Sequence, residues 1–350
     1  MPVPLMEVAR LAGVSRTSAS MILNKRGSFS EAARLRVWEA AHALGYVPDA
    51  KARALRCGQG TVASLGSLIA YVDYLGAKEV FDPLGLSQFR LAFLSHGARQ
   101  LGLYVVGAPY DDQKVFDCRP ILDSQVGGAI AATPHPEVAL AIAKRMPLVL
   151  LDATEEAIAV HSPSVGVDFQ AGAELVVRRL FELGHRSVGY FRMERTTAHH
   201  TRQWPFFQDS LLKFGMRLHP AFDRVWPLSP ANHAMVMREL ADLTAELVRR
   251  KEITALLCPH NVYAIAQVPL LLERGVRVPE DLSLTGATEG VHAGLVDKPR
   301  LTSTRHPWEK ILVIALETLA ALRSGQTSGI GRTLIPPALV EGETAIQVGG

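Results

Sequence analysis

Residues 6–24 read MEVARLAGVSRTSASMILN, and this stretch decides the fold of the N-terminal part of the chain. Apolar residues recur at helical spacing on both sides of Gly13, and a glycine here suits the left-handed position that ends a helix. Ser15 can cap the second helix, Arg16–Leu23, because its hydroxyl can accept a backbone amide one turn on. A third helical pattern spans residues 31–44, and Ser30 can cap it. Three short helices with a tight glycine turn predict a helix-turn-helix domain.

Basic side chains are concentrated in the same part of the chain. Residues 1–60 contain nine Lys and Arg against four Asp and Glu, a net charge of +5, whereas the whole chain of 350 residues carries +3. The remaining residues are therefore close to neutral. A basic head on a near-neutral body is expected when only the head contacts a polyanion such as DNA.

Residues 30–59, SEAARLRVWEAAHALGYVPDAKARALRCGQ, extend the pattern. With the VARLAGVS turn, the S-x-x-x-x-L-N exit and the LGYVPDAKARAL tail, the chain resembles the lac repressor family of bacterial transcription regulators. The resemblance implies a helix-turn-helix DNA-binding domain over residues 1–47 and a hinge helix with linker over 48–60. An effector-binding and dimerisation domain would then span residues 61–350.

By this resemblance, the second helix enters the major groove and its first residues meet base edges. Arg16 can pair with guanine, and Thr17 can offer its methyl group or its hydroxyl. Ser18 and Ser20 suit phosphate contacts, which position the domain. Met21 stands where the family often has arginine, so we expect a more apolar readout. The alternative for Arg16 is an ordinary solvated arginine.

The other DNA-contacting residues that the resemblance implies lie at the two ends of the second helix and in the hinge. They are Ser15, Asn24, Lys51, Arg53 and Leu55. Leu55 matches the family leucine that wedges between base steps in the minor groove. The alternative is an alanine-rich linker with an incidental leucine.

From residue 62 onward, apolar runs alternate with amphipathic stretches. We expect strands at residues 65–72, 103–107, 128–132, 148–151, 187–191, 255–258 and 282–285, and helices at 87–100, 136–144, 169–183, 207–214, 235–249 and 263–273. This alternation predicts parallel βαβ units, and the length exceeds one core. The predicted fold is an all-α helix-turn-helix head followed by an α/β body of two doubly wound lobes.

The body also resembles the periplasmic-binding-protein-like effector domain of the same family, in segments such as MPLVLLD (146–152) and LIPPALVEGE (334–343). The resemblance implies linkers near 161–165 and 290–305 and a ligand cleft between the lobes. The implied effector-binding residues are Asp152, Arg202, Gln203, His260, Asn261 and Thr288. Of the four usual polar positions only the acid at Asp152 is kept, which suits a polyhydroxyl ligand less well. A sugar bound differently stays open, as does a purely structural role for each residue.

The sequence contains no GxSxG, P-loop or HExxH motif and no GxGxxG after a strand, so no enzyme is expected. Three scattered cysteines and the adjacent His199 and His200 fit neither a disulfide framework nor a metal site, and no cofactor is expected. No apolar run reaches the length of a membrane span and no signal peptide is apparent, which predicts a cytoplasmic protein.

The predicted function is that of a homodimeric transcription regulator, a repressor, that binds double-stranded operator DNA and a small-molecule effector. Two alternatives remain open. One is a cytoplasmic ligand-binding or sensory protein of the same fold, and the other is a regulator whose cleft has lost effector binding.

Overall fold

The computed structural model describes residues 4–23, 29–44, 67–74, 86–110, 126–132, 134–153, 162–194, 203–229, 231–287, 299–326 and 331–349. The chain divides into two compact units, Met1–Leu65 and Gly66–Gly350. Each unit has its own buried apolar cores, with one core in the first and four in the second among the described residues.

The first unit contains three helices, α1 (Leu5–Ala12), α2 (Arg16–Leu23) and α3 (Glu31–Ala43). Gly13 adopts the expected left-handed conformation, with φ at 63°. The caps are as predicted, since the Ser15 Oγ accepts a hydrogen bond of 3.0 Å from the Ser18 amide. The Ser30 Oγ accepts one of 3.3 Å from the Ala33 amide. The predicted helix-turn-helix is confirmed.

The second unit alternates strands and helices. In chain order its elements are β1 (Leu68–Tyr74), α4 (Leu86–Gln100), β2 (Tyr104–Tyr110), β3 (Val126–Ala132), α5 (Pro136–Ala143), β4 (Leu148–Leu151), β5 (Ser164–Val167), α6 (Phe169–Glu182), β6 (Ser187–Tyr190), β7 (Met193–Glu194), α7 (Gln203–Lys213), β8 (Arg217–Leu218), β9 (Trp226–Pro227), α8 (His233–Arg249), β10 (Ala255–Cys258), α9 (Asn261–Leu272), β11 (Ser283–Gly286), β12 (Ser303–Arg305), α10 (Trp308–Arg323), β13 (Arg332–Ile335) and β14 (Ala338–Val340).

Two parallel sheets organise these elements. The larger sheet has six strands in the order β13-β5-β4-β3-β1-β2, and the smaller sheet has four in the order β11-β10-β6-β8. Helices α4 and α10 cover one face of the larger sheet and α5 the other. In the smaller sheet α8 and α9 cover one face, whereas α6 and α7 cover the other. The predicted doubly wound body is confirmed.

The chain passes between the two sheets at three places. The segment that we expected to be a linker, near residues 161–165, instead contributes β5 to the larger sheet, so the first passage follows β5 at Asp168. The chain returns after β12, which pairs antiparallel with β14. It passes once more between β13 and β14. Helix α10 and strand β13 were not among the expected elements.

Among the described residues no helix is long and apolar enough to span a membrane. That same part of the chain contains no group of three or more His, Cys, Asp or Glu that could hold a metal ion. His199 and His200 lie outside it.

Candidate nucleic-acid interface and ligand cleft

One face of α2 is buried and the other is open to solvent. Ala19, Ile22 and Leu23 pack into the core of the first unit. The open face carries the exposed Arg16 and Thr17, together with further residues that the sequence singled out, namely Ser15 and Met21. The helix therefore presents a short, mixed surface of one arginine, hydroxyl groups and one thioether.

The two serines at the start of α2 are bonded to each other. The Ser15 and Ser18 hydroxyl oxygens lie 2.9 Å apart, and Ser15 also caps the helix. Each hydroxyl keeps capacity for a further hydrogen bond, so this end of α2 is fixed in place and can still bond to a partner. Ser20 is half-buried. The remaining predicted DNA contacts, Asn24, Lys51, Arg53 and Leu55, lie outside the described residues.

Each sheet of the second unit has a switch point, where successive strands are added first on one side of a strand and then on the other. From β1 the chain moves to β2 on one side and then to β3 on the other, and from β6 it moves to β8 and then to β10. Ligands of open α/β sheets bind at the carboxyl ends of strands flanking such a switch point. Asp152 follows β4, and His260 with Asn261 follows β10. Gln203 begins α7, the helix between β6 and β8.

Asp152 has both carboxylate oxygens engaged. Its Oδ1 accepts a hydrogen bond of 2.8 Å from the Val167 amide, and its Oδ2 accepts one of 3.3 Å from the Arg90 Nη2. The backbone of Asp152 is left-handed, with φ at 46°, a conformation that non-glycine residues seldom adopt. Its carboxylate oxygen also lies so close to Gly166 that no Cβ would fit there. Asp152 thus ties the end of β4 to β5.

Arg90 was not expected at this site, yet it is the centre of a buried polar cluster. Only 5% of its surface is exposed, and its guanidinium carbon lies 4.0 Å from the centroid of the Trp308 ring. Burial acts to lower the pKa of Arg90, but the neighbouring Tyr71, Asp152 and Asp73 outweigh it and raise that pKa. The guanidinium therefore stays charged and is held between an aromatic face and two acids.

Tyr71 and Asp73 complete this cluster on β1. The Tyr71 hydroxyl donates a hydrogen bond of 2.8 Å to the Asp73 Oδ2. Burial raises the pKa of the Tyr71 hydroxyl well above its ordinary value, so the hydroxyl keeps its proton. An acid near the end of the apolar stretch LIAYVDY was a usable signal for Asp73, whereas nothing local marks Arg90, since an arginine in a helix is usually solvated.

On the smaller sheet the predicted residues have different environments. The Asn261 Nδ2 donates to the Ser303 Oγ at 3.3 Å, and the Asn261 side-chain oxygen leaves no room for a Cβ at Gly286. Asn261 thus ties the start of α9 to β11 and β12. His260 is 5% exposed, and its ring lies 6.0 Å from that of Tyr263.

Gln203 differs from these residues because its amide makes no hydrogen bond. The side chain is 3% exposed, and neither the Nε2 nor the Oε1 has a partner. The next residues of α7 fix its position, since Trp204 and Phe207 pack against the Tyr190 ring at 4.9 and 5.0 Å between centroids. Arg202 and Thr288 lie outside the described residues.

Trp226 belongs to a core of the second unit. It is 2% exposed and packs against Phe191 and Phe222.

Two family models match the chain. The model described as "Bacterial regulatory proteins, lacI family" matches residues 4–49, and that described as "Periplasmic binding protein-like domain" matches residues 177–345. Among curated proteins, the HTH-type transcriptional repressor PurR of Aliivibrio salmonicida (strain LFI1238) is 25% identical over 327 residues, which cover 89% of this chain and 90% of the relative. The HTH-type transcriptional regulator GalR of Escherichia coli (strain K12) is 27% identical over 342 residues, covering 95% and 93%.

Solved structures share the fold. The lac repressor dimer bound to operator and the anti-inducer ONPF superposes with a TM-score of 0.66 at 22% identity, covering 99% of this chain and all of that one. The complex of the transcriptional regulator CelR with cellobiose gives a TM-score of 0.63 at 22% identity, covering 98% and 99%. The curated relatives named above are regulators of transcription and not enzymes.

Proposed function

The chain belongs to the lacI family of bacterial regulatory proteins and is a DNA-binding regulator of transcription, and from this premise we propose how it acts. It represses transcription in the cytoplasm by binding an operator as a homodimer. A small molecule bound between the two sheets of the second unit controls that binding. The observation that carries the DNA-binding half is the open face of α2, which is capped at its start and packed on its other side.

In this proposal residues 1–47 form the DNA-binding domain and residues 48–60 the hinge. Arg16 donates to guanine, and Thr17 and Met21 make methyl and thioether contacts in the major groove. Ser15, Ser18, Ser20 and Asn24 contact phosphate oxygens. Three residues act from the hinge. The side chains of Lys51 and Arg53 neutralise phosphates, and Leu55 inserts into the minor groove.

The effector half of the proposal places the ligand at the carboxyl ends of β1, β4, β6 and β10. Gln203 and His260 contact the effector directly, with Arg202 and Thr288 as further contacts. Asp152 and Asn261 act differently, because their side chains already bond to the Val167 amide and to Ser303. The first bond joins the end of β4 to the last residue of β5, next to the passage at Asp168, and the second joins the start of α9 to β12, after which the chain returns. A ligand that shifts Asp152 or Asn261 would therefore also shift the neighbouring segments where the chain passes between the sheets. Such a movement is a hinge-type switch.

A mobility-shift assay with the full-length protein tests the proposal. Fragments from upstream of its own gene serve as probes, with excess unrelated DNA as competitor. We expect retention of one fragment, release or tightening of that complex by one metabolite of a panel, and a strong decrease of affinity with salt. Failure to prefer any fragment would favour a sensory protein without DNA control. Fragment binding without a response to any metabolite would favour a regulator that has lost its effector.

A further inference from the structure

We propose that Gln203 selects the effector, and that the effector carries an amide edge, an N–H group beside a C=O group on one side of the molecule. The inference rests on the proposed ligand cleft and adds the chemical class of the ligand. It sets this chain apart from regulators that read a row of hydroxyl groups or an acid.

The first observation is the unpaired amide of Gln203. A side chain that is 3% exposed, with both polar atoms lacking a hydrogen bond, destabilises the ligand-free protein. Buried amides in folded proteins are nearly always bonded, so an exception needs an explanation. A ligand that bonds to both atoms supplies one.

The location of Gln203 agrees with this explanation. It is the first residue of α7, which follows β6 and β7, and a helix after a parallel strand starts at the carboxyl end of the sheet. Trp204 and Phe207 anchor the helix start on Tyr190, the last residue of β6. The amide is therefore held at the switch point between β6 and β10, where a ligand binds.

The second observation concerns the carboxyl end of the larger sheet, where Asp152 follows β4. Carboxylates recognise polyhydroxyl ligands by accepting several hydrogen bonds, but both oxygens of Asp152 already accept bonds from Val167 and Arg90. Arginines recognise acids, but Arg90 is committed to Asp152 and to the face of Trp308. Among the described residues at this end of the larger sheet, the Asp152 carboxylate and the Arg90 guanidinium are therefore already engaged within the protein, which favours a ligand that is neither a polyol nor an anion.

The chemistry of a primary amide then defines the ligand class. Its N–H donor and its C=O acceptor lie side by side, so it pairs through two hydrogen bonds with a molecule that has the same two groups in the opposite order. Lactams, cyclic imides, oxo-pyrimidines and carboxamides have such an edge. Uracil, cyclo(glycylglycine) and nicotinamide are suitable probes, with ribose and benzoate as the polyol and the acid.

The test compares Gln203→Met with Gln208→Met in the full-length protein by thermal unfolding and titration calorimetry. Gln208 lies on the exposed side of the same helix and is the matched control. Without ligand, we expect Gln203→Met to unfold a few degrees higher than the wild type, because it removes an unpaired buried amide. At millimolar concentration, at least one amide probe should stabilise the wild type and Gln208→Met, with affinity lowered tenfold or more in Gln203→Met. Ribose and benzoate should stabilise none of the three proteins.

Three results would overturn the inference. A lower unfolding temperature for ligand-free Gln203→Met would mean that the amide has a structural role. The inference would also be overturned if no amide probe bound the protein, or if ribose or benzoate bound more tightly than every amide probe. The mobility-shift assay distinguishes failure of this inference from failure of the proposed function. If the operator complex responds to a ligand that has no amide edge, the proposed repressor function stands and only the inference about the ligand class is wrong.

Discussion

The Arg90 Nη2 lies 3.3 Å from the Asp152 Oδ2, and the two side chains are 5% and 1% exposed. The pair joins helix α4 to the end of β4, next to the place where the chain leaves the larger sheet. Two charges this deeply buried stabilise a fold only while they remain together, because each alone bears its full desolvation cost. Replacement of either residue is therefore expected to disturb the end of β4.

Removing one member of the pair should destabilise the protein strongly. We expect Arg90→Leu to lower the free energy of unfolding by about 3–5 kcal/mol, because the Asp152 carboxylate is left buried and uncompensated. The double variant Arg90→Leu with Asp152→Asn should recover part of that loss. Urea unfolding at pH 7 measures both. Lys213→Met, which breaks an exposed ion pair with Glu174, is the control and should cost no more than about 1 kcal/mol. Equal losses for Arg90→Leu and Lys213→Met would contradict the account.

Arg16→Ala should relax the choice of base at one position of each operator half-site. A bidentate arginine–guanine contact contributes about 1–3 kcal/mol of discrimination, so competition between operator variants should show a loss of that size at one base pair. Lys310→Ala, an exposed lysine on α10, should leave the preference unchanged. If Arg16→Ala kept the full preference, Arg16 would not be a base-reading residue.

Met21→Arg should convert an apolar contact into a phosphate or guanine contact. Met21 is 37% exposed on the open face of α2, so the longer charged side chain can reach the DNA without disturbing the core. We expect tighter binding to unrelated DNA and a salt dependence steeper by about one counterion, measured as the slope of affinity against salt concentration. An unchanged slope would show that position 21 faces away from the duplex.

The stability of the second unit should fall in mild acid because of His185. Its Nδ1 lies 2.8 Å from the Thr254 Oγ1 and its Nε2 lies 3.2 Å from the Ile346 carbonyl oxygen. Burial lowers the pKa of His185 to about 4, from an ordinary value of 6.5. The unfolded chain therefore binds a proton between these values while the folded protein does not, so stability is complete above pH 6.5 and is lost as the pH falls towards 4.

Urea midpoints at pH 7.5 and pH 5 measure this effect. His185→Gln should be less stable at pH 7.5 but should lose less on acidification than the wild type. His96→Gln, which removes an exposed histidine from α4, should behave like the wild type. Identical acid sensitivity in His185→Gln and the wild type would contradict the assignment.

Features that depend on neighbouring residues could be predicted from the sequence. The helix bounds of α2, both serine caps and strands β4 and β10 agree with the expected residues, because helical spacing, capping and short apolar runs are local signals. Strand β13 could not be found this way, since three of its four residues are exposed at the edge of the sheet and give little apolar signal.

The candidate site was predicted less completely because its contacts join distant parts of the chain. Asp152 was expected to meet a ligand, but its partner Arg90 lies 62 positions away, and no local pattern pairs them. Asn261 is similarly joined to Ser303, 42 positions on. Gln203 was identified by its position alone, and only the packing shows that its amide is buried without a partner.

Selection of bound sequences from a random duplex library by the full-length protein tests the central claim most directly. The account predicts enrichment of a near-palindromic sequence with two half-sites, and a change at one position of each half-site when Arg16→Ala is selected in parallel. A wild-type protein that enriches no sequence over the starting library at moderate salt would contradict it.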